Sequence, residues 1–161
     1  MFSKWFSSNK LSLASPMTGT LVTLDQVPDP VFSQKMTGDG LAIEPKIGRV
    51  VAPFDGKIIH LFETKHAIIL ENQNQIQVLI HIGLDTVKLN GEGFTSHVKI
   101  GDEVKTNDML IEFDMEKIQH AGYSTISPVV ITNGEIVKEQ KILETGLVEA
   151  GKTQILSIVL K

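Results

Sequence analysis

The chain contains no cysteine. That excludes a disulfide framework, cysteine zinc sites and a cysteine nucleophile, and it fits a reducing compartment. Any covalent intermediate must therefore sit on another side chain. Basic runs and clustered aromatics are also missing, with 15 Lys plus Arg against 19 Asp plus Glu and a formal charge of -4, so nucleic-acid binding is not expected. No apolar run approaches the roughly 20 residues of a membrane span. Residues 1–10 lack the apolar core and small-residue cleavage site of a signal peptide, and the expected location is cytoplasmic. There is no nucleotide-binding motif and no H-x-H or H-E-x-x-H pattern.

A length of 161 residues suits one domain, and a chain of this size can bury about 70% of its unfolded surface. Residues 1–12 read as a flexible tail and 13–161 as a single β-domain. Phe2, Trp5 and Phe6 lie at helical spacing, so the tail would present a short apolar face if it became helical at a bilayer surface. From Leu11 onward, short β-branched runs alternate with Gly, Pro, Asn and Asp. The spacing predicts strands over 20–24, 41–43, 49–51, 57–61, 67–71, 76–82, 109–113, 128–132 and 154–160, in an all-β antiparallel sandwich or barrel. Asp114 to Gly122 reads as the one short helix, capped by Asp114 and stopped by Gly122. Val27 to Gly40 breaks the strand pattern: Pro28 and Pro30 fix a stiff connection, Val31, Phe32 and Met36 supply apolar side chains within a loop, and Val31 and Phe32 either plug one end of the sandwich or form an apolar rim for a partner.

Ser15-Pro16-Met17-Thr18-Gly19 recurs in outline as Ala52-Pro53-Phe54-Asp55-Gly56, and Ser127-Pro128-Val129-Val130-Ile131 is a partial third copy. Each copy is a proline or glycine turn followed by an apolar strand, which suggests a duplicated β-motif.

The stretch from Thr64 to Asp85 reads as a hairpin. A loop at Asn72 to Gln75 sets Glu71 opposite Ile76 and, in the same register, His66 opposite His81 and Thr64 opposite Gly83. Directly opposed side chains share a face, so two imidazoles are expected to meet. A one-residue slip would break this pairing. Gly83 should leave open space beside the rings, and Asp85 adds a carboxylate. His60, His97 and His120 have no partner at an informative spacing. Three readings of the pair remain: a phosphoryl carrier with one nucleophilic ring and one stabilising ring, a zinc site using both rings and Asp85, or a structural pair. Separately, Val98 to Phe113 is similar to half of a biotinyl or lipoyl carrier domain, although Lys117 then falls within the expected helix.

The run His81-Ile82-Gly83-Leu84-Asp85 through Gly93-Phe94 resembles the phosphorylation-site signature of the glucose-type enzyme IIA of the bacterial phosphoenolpyruvate:sugar phosphotransferase system. Ser15 to Gly19, Val27 to Phe32, Gly38 to Ile43, Val51 to Gly56, Thr64 to Ala67 and Ser127 to Asn133 resemble further blocks of that family in the same order. The resemblance implies a β-sandwich of the duplicated hybrid type and a phosphotransferase component that needs no cofactor. In that family the phosphocarrier HPr donates a phosphoryl group to the position of His81, which passes it to the cysteine of a IIB domain during sugar uptake. His66 matches the stabilising histidine and Thr64 the residue that orients it. Asp29 and Asp85 match carboxylates that meet partner arginines, and Val31, Phe32, Phe62 and Val87 match the apolar docking rim. The resemblance leaves open regulatory target proteins and a zinc site at His66 and His81 completed by a partner; membrane contact would come through a permease or, weakly, the tail.

Overall fold

The computed structural model describes residues 10–161. Most of residues 1–12, expected as a tail, lies outside the described residues, and residues 10–12 belong to the first strand. The strands in order are β1 (Lys10–Ala14), β2 (Gly19–Thr23), β3 (Asp39–Pro45), β4 (Arg49–Val51), β5 (Gly56–Leu61), β6 (Ala67–Asn72) and β7 (Gln77–His81). They continue as β8 (Phe94–Ser96), β9 (Glu103–Val104), β10 (Met109–Phe113), β11 (Ser127–Ile131), β12 (Val137–Ile142), β13 (Gly146–Val148) and β14 (Gln154–Leu160). Among the described residues the other regular elements are two short helices, α1 (Pro30–Ser33) and α2 (Met115–His120), and three 3-10 turns. The main sheet runs β13-β2-β3-β11-β7-β6-β5-β9, and the two smaller sheets run β1-β14-β12 and β4-β10-β8. All strand pairs are antiparallel, as the alternating sequence pattern requires.

The duplicated motif is visible in the backbone bonding. Ala14 N–H donates to Pro53 O, and the equivalent Val51 N–H donates to Pro16 O. Around this exchange, Gly19 opposes Val148 on the edge strand β13 while the equivalent Gly56 opposes Val104 on β9. Ser15 exchanges bonds with the Gly151 to Thr153 turn, as Ala52 does with Asn107 and Asp108. The two copies therefore embrace around a local two-fold. The apolar side chains after each turn build one core cluster, which includes Leu21, Ile43, Ile58, Leu110 and Ile155.

The centre of the main sheet is covered on both faces, which explains the near-continuous apolar runs in β6, β7 and β11. Ile68, Leu70, Val78 and Ile80 face the large cluster. Ala67, Leu79 and Val130 face a smaller one that contains Leu24, Val27, Phe32, Leu84 and Ile126. Strand alternation puts His81 on this second face, two residues after Leu79. Among the described residues no helix is long and apolar enough to cross a membrane.

One expectation is corrected by the ladder between β6 and β7. Glu71 opposes Gln77 and not Ile76, and His81 opposes Ala67 and not His66. The loop is one residue shorter than expected, because Asn72 remains in the ladder and Gln75 takes a left-handed conformation at φ 68°. The Asn72 carboxamide oxygen accepts the N–H groups of Asn74 and Ile76 and fixes that tight turn.

Candidate functional site

In the observed register, alternation alone would send His66 and His81 to opposite faces. They meet nevertheless, with ring centroids 5.0 Å apart and planes at 81°. His66 is not part of β6. It follows Lys65, which sits at φ 60° in a turn closed by Lys65 N–H to Phe62 O, and the chain bends at both residues before the strand begins. This bend carries the His66 side chain across to the face of His81. Its backbone stays anchored through Ile82 N–H donating to His66 O at 2.7 Å.

The hydrogen bonds of the two rings differ. His81 Nδ1 lies 2.7 Å from Gly83 O. A carbonyl only accepts, so Nδ1 carries the proton and Nε2 holds a free lone pair. His66 Nδ1 lies 2.5 Å from Thr64 Oγ1, and a hydroxyl that donates there leaves His66 with Nε2–H as its outward donor. Phe32 packs against His81 with centroids 5.0 Å apart, while Phe62 packs edge-on against His66 at 5.4 Å and against His60 at 4.6 Å. His60 is thus an outer member of this aromatic row, a contact that its spacing in the sequence does not signal.

Burial sets the charge state. It pushes His66 down from the usual histidine value to about 4, with His81 adding to the effect. Burial also lowers His81, against the Gly83 carbonyl, Asp29 and Asp85, which all pull it upward. Both rings are therefore neutral near pH 7. Between about pH 6.5 and pH 4 the unfolded chain binds a proton that folded His66 refuses, so stability falls as pH falls through this window. The expected loss from this ring is roughly 3 kcal/mol. Urea unfolding at both ends of the window should show a His66→Gln variant with the shallower dependence. Equal slopes would contradict the assignment of that loss to His66.

Asp29 caps α1 through its side-chain Oδ1, which accepts from Val31 N–H, and Pro30 occupies the first helical position. The connection read as stiff loop is therefore in part a single helical turn. It separates two expected rim residues: Val31 points outward at 41% exposure, whereas Phe32 is 5% exposed and supports the His81 ring from below the rim. Val87, in the 3-10 turn after Asp85, is 47% exposed, and Phe62 is partly buried. Met36 at 69% exposure extends the apolar surface next to Val31, whose carbonyl accepts the Met36 N–H. Sequence reading placed Met36 in the loop without assigning it to the site.

Gly83 differs from expectation. It adopts φ 72°, and a Cβ there would come within 2.7 Å of Ser124 O and of Thr86 Cγ2. The position is tightly packed and not open, and glycine is needed for the left-handed turn that aims its carbonyl at His81. Sequence reading also missed buried Ser127 and Thr86, whose hydroxyls bond to the peptide on the N-terminal side of Gly83. Only the glycine itself signals this arrangement. Among the described residues no three His, Asp or Glu side chains converge to hold a metal ion. The catalytic zinc reading therefore lacks its ligand set. Lys117 lies in α2, as expected, and pairs with Glu92 at 3.5 Å.

Residues 11–137 match the family model of the phosphoenolpyruvate-dependent sugar phosphotransferase system, EIIA 1. The PTS system glucose-specific EIIA component of Oceanobacillus iheyensis is 48% identical over 150 residues, 93% of this chain and 91% of that protein. The protein of the same name from Bacillus cereus is 44% identical over the whole of both chains. A solved structure, the glucose permease IIA from Mycoplasma capricolum, superposes with a TM-score of 0.88 at 38% identity, covering 95% of this chain and 98% of that one. With its duplicated β-motif and neutral histidine pair, the chain belongs to the EIIA 1 family of the phosphoenolpyruvate-dependent sugar phosphotransferase system, and it is a phosphoryl carrier in sugar uptake.

Proposed function

We propose that His81 Nε2 accepts the phosphoryl group from phospho-HPr and passes it to the cysteine of a IIB domain. The observation that carries this reading is the bond from His81 Nδ1–H to Gly83 O, which leaves the Nε2 lone pair free beside His66. In the first transfer, that lone pair attacks the donor's phosphorus. A new N–P bond forms as the donor's N–P bond breaks, and the donor imidazole leaves with the electron pair. In the second transfer a thiolate attacks, an S–P bond forms and the electron pair returns to His81 Nε2. His66 Nε2–H, held by Thr64, donates to the phosphoryl oxygens throughout.

Val31, Phe62 and Val87 form the apolar contact for both partners, with Phe32 beneath them, and Asp29 and Asp85 meet partner cations at the edge. A small apolar rim with carboxylates favours rapid, brief docking over tight binding. The relatives' names support glucose as the sugar served, and the exchange would take place in the cytoplasm. Incubation with phosphoenolpyruvate, enzyme I and HPr should load an acid-labile, base-stable phosphate. Loading that persists when HPr is omitted would overturn the donor assignment.

A further inference from the structure

The main-sheet ladder stops just short of the site. β11 opposes β7 through Val129 and Ile80, and beyond that pair the chain after His81 leaves the sheet at the left-handed Gly83. The peptide joining Ile82 to Gly83 is then held at both ends by side chains. Gly83 N–H donates to Ser127 Oγ at 3.1 Å, and Thr86 Oγ1–H donates to Ile82 O at 2.5 Å. Ser127 Oγ–H in turn donates to Thr125 O at 2.8 Å. An amide only donates and a carbonyl only accepts, so the directions of these bonds are settled. Ser127 and Thr86 are fully buried, with no exposed surface, and no water competes for either hydroxyl.

We infer that Ser127 and Thr86 are positioning residues for phosphoryl transfer: by clamping the Ile82–Gly83 peptide they keep Gly83 O on His81 Nδ1–H and so hold the lone pair on Nε2. The inference rests on His81 being the acceptor. An imidazole released from this carbonyl can carry its proton on either nitrogen, and the Nε2–H form has its lone pair on Nδ1, with none at Nε2 to attack the donor. The Gly83 carbonyl shares its peptide with Leu84 N–H, which donates to Ser124 O at 3.0 Å. With Ser127 and Thr86 holding the preceding peptide, the backbone is fixed on both sides of the Gly83 Cα and its carbonyl keeps one direction. Turn stability alone would need only that the turn persist. The clamp adds that the ring keeps one tautomer.

Thr86→Val preserves shape and removes one hydroxyl, Ser127→Ala removes the other, and Ser127→Thr retains it. Nitrogen-15 NMR of the His81 ring should show Nδ1–H alone in the wild type and a mixture of tautomers in Thr86→Val and Ser127→Ala. Initial rates of phosphorylation by phospho-HPr should fall roughly 5–30-fold in these two variants, the equivalent of one or two lost hydrogen bonds. Ser127→Thr should recover both the tautomer and most of the rate. An unchanged tautomer in folded variants overturns the inference, whether or not the rate falls. Hydrogen exchange on the wild type needs no variant, and an unprotected Gly83 amide there would also overturn it. Phosphorylation of His81→Ala would instead overturn the assignment of the acceptor.

Discussion

Replacing His81 with alanine should abolish phosphoryl uptake from phospho-HPr. The ring presents a lone pair at Nε2 that the fold fixes, because its other nitrogen is committed to the Gly83 carbonyl. His66 cannot take its place easily: it is 5% exposed, and its Nδ1 is engaged by Thr64. The alanine also leaves the fold intact in principle, since His81 is partly exposed at the end of β7. The expected result is no acid-labile label on a protein that still unfolds cooperatively. Label at wild-type level would sink the assignment of the acceptor.

His66→Gln should separate the two transfers. A glutamine amide can offer the phosphoryl oxygens an N–H in place of His66 Nε2–H, so uptake should stay within a few-fold of the wild type. The second transfer brings a cysteine thiolate against a dianionic phosphoryl group. An imidazole can take up a proton as this negative charge gathers, and an amide cannot. Onward transfer should therefore fall by about a hundredfold or more, within the range of general acid–base effects. The measurement is single-turnover loss of label from the phosphorylated variant to a IIB domain. A wild-type rate would remove His66 from the chemistry.

The strands that cross the middle of the main sheet were legible in the sequence because their apolar runs are long and bounded by turn residues. β2, β3, β6, β7 and β11 fall within a few residues of expectation. β8 and β9 were not legible, since Phe94-Thr95-Ser96 and Glu103-Val104 lack even the two consecutive apolar residues that mark the equally short β4 at Val50 and Val51. β12, Val137–Ile142, is an edge strand whose charged side chains disguise it, as edges that must resist pairing often do. β1 and β13 are short strands at sheet edges. The helix at Met115–His120 was legible because Asp114 caps it, accepting from Lys117 N–H.

At the candidate site, the expected meeting of His66 and His81 occurs, but through a different register from the one expected. The expected hairpin loop was one residue too long, because no pattern in Asn72-Gln73-Asn74-Gln75 announces that Gln75 goes left-handed. A second local irregularity, the left-handed Lys65, brings His66 back to the face of His81. Two backbone departures that a period-2 argument cannot see thus compensate each other. The carbonyl that selects the His81 tautomer was likewise out of reach, because a backbone acceptor has no side-chain signature and its supports, Ser127 and Thr86, converge only in three dimensions.

The most direct measurement is the position of the phosphorus on the ring. Phosphorylated, nitrogen-15-labelled protein should show a phosphorus–nitrogen coupling at Nε2 of His81, with Nδ1 still protonated and bound to the Gly83 carbonyl. Coupling at His81 Nδ1, or at either nitrogen of His66, would contradict the assignment of His81 Nε2 as the acceptor atom.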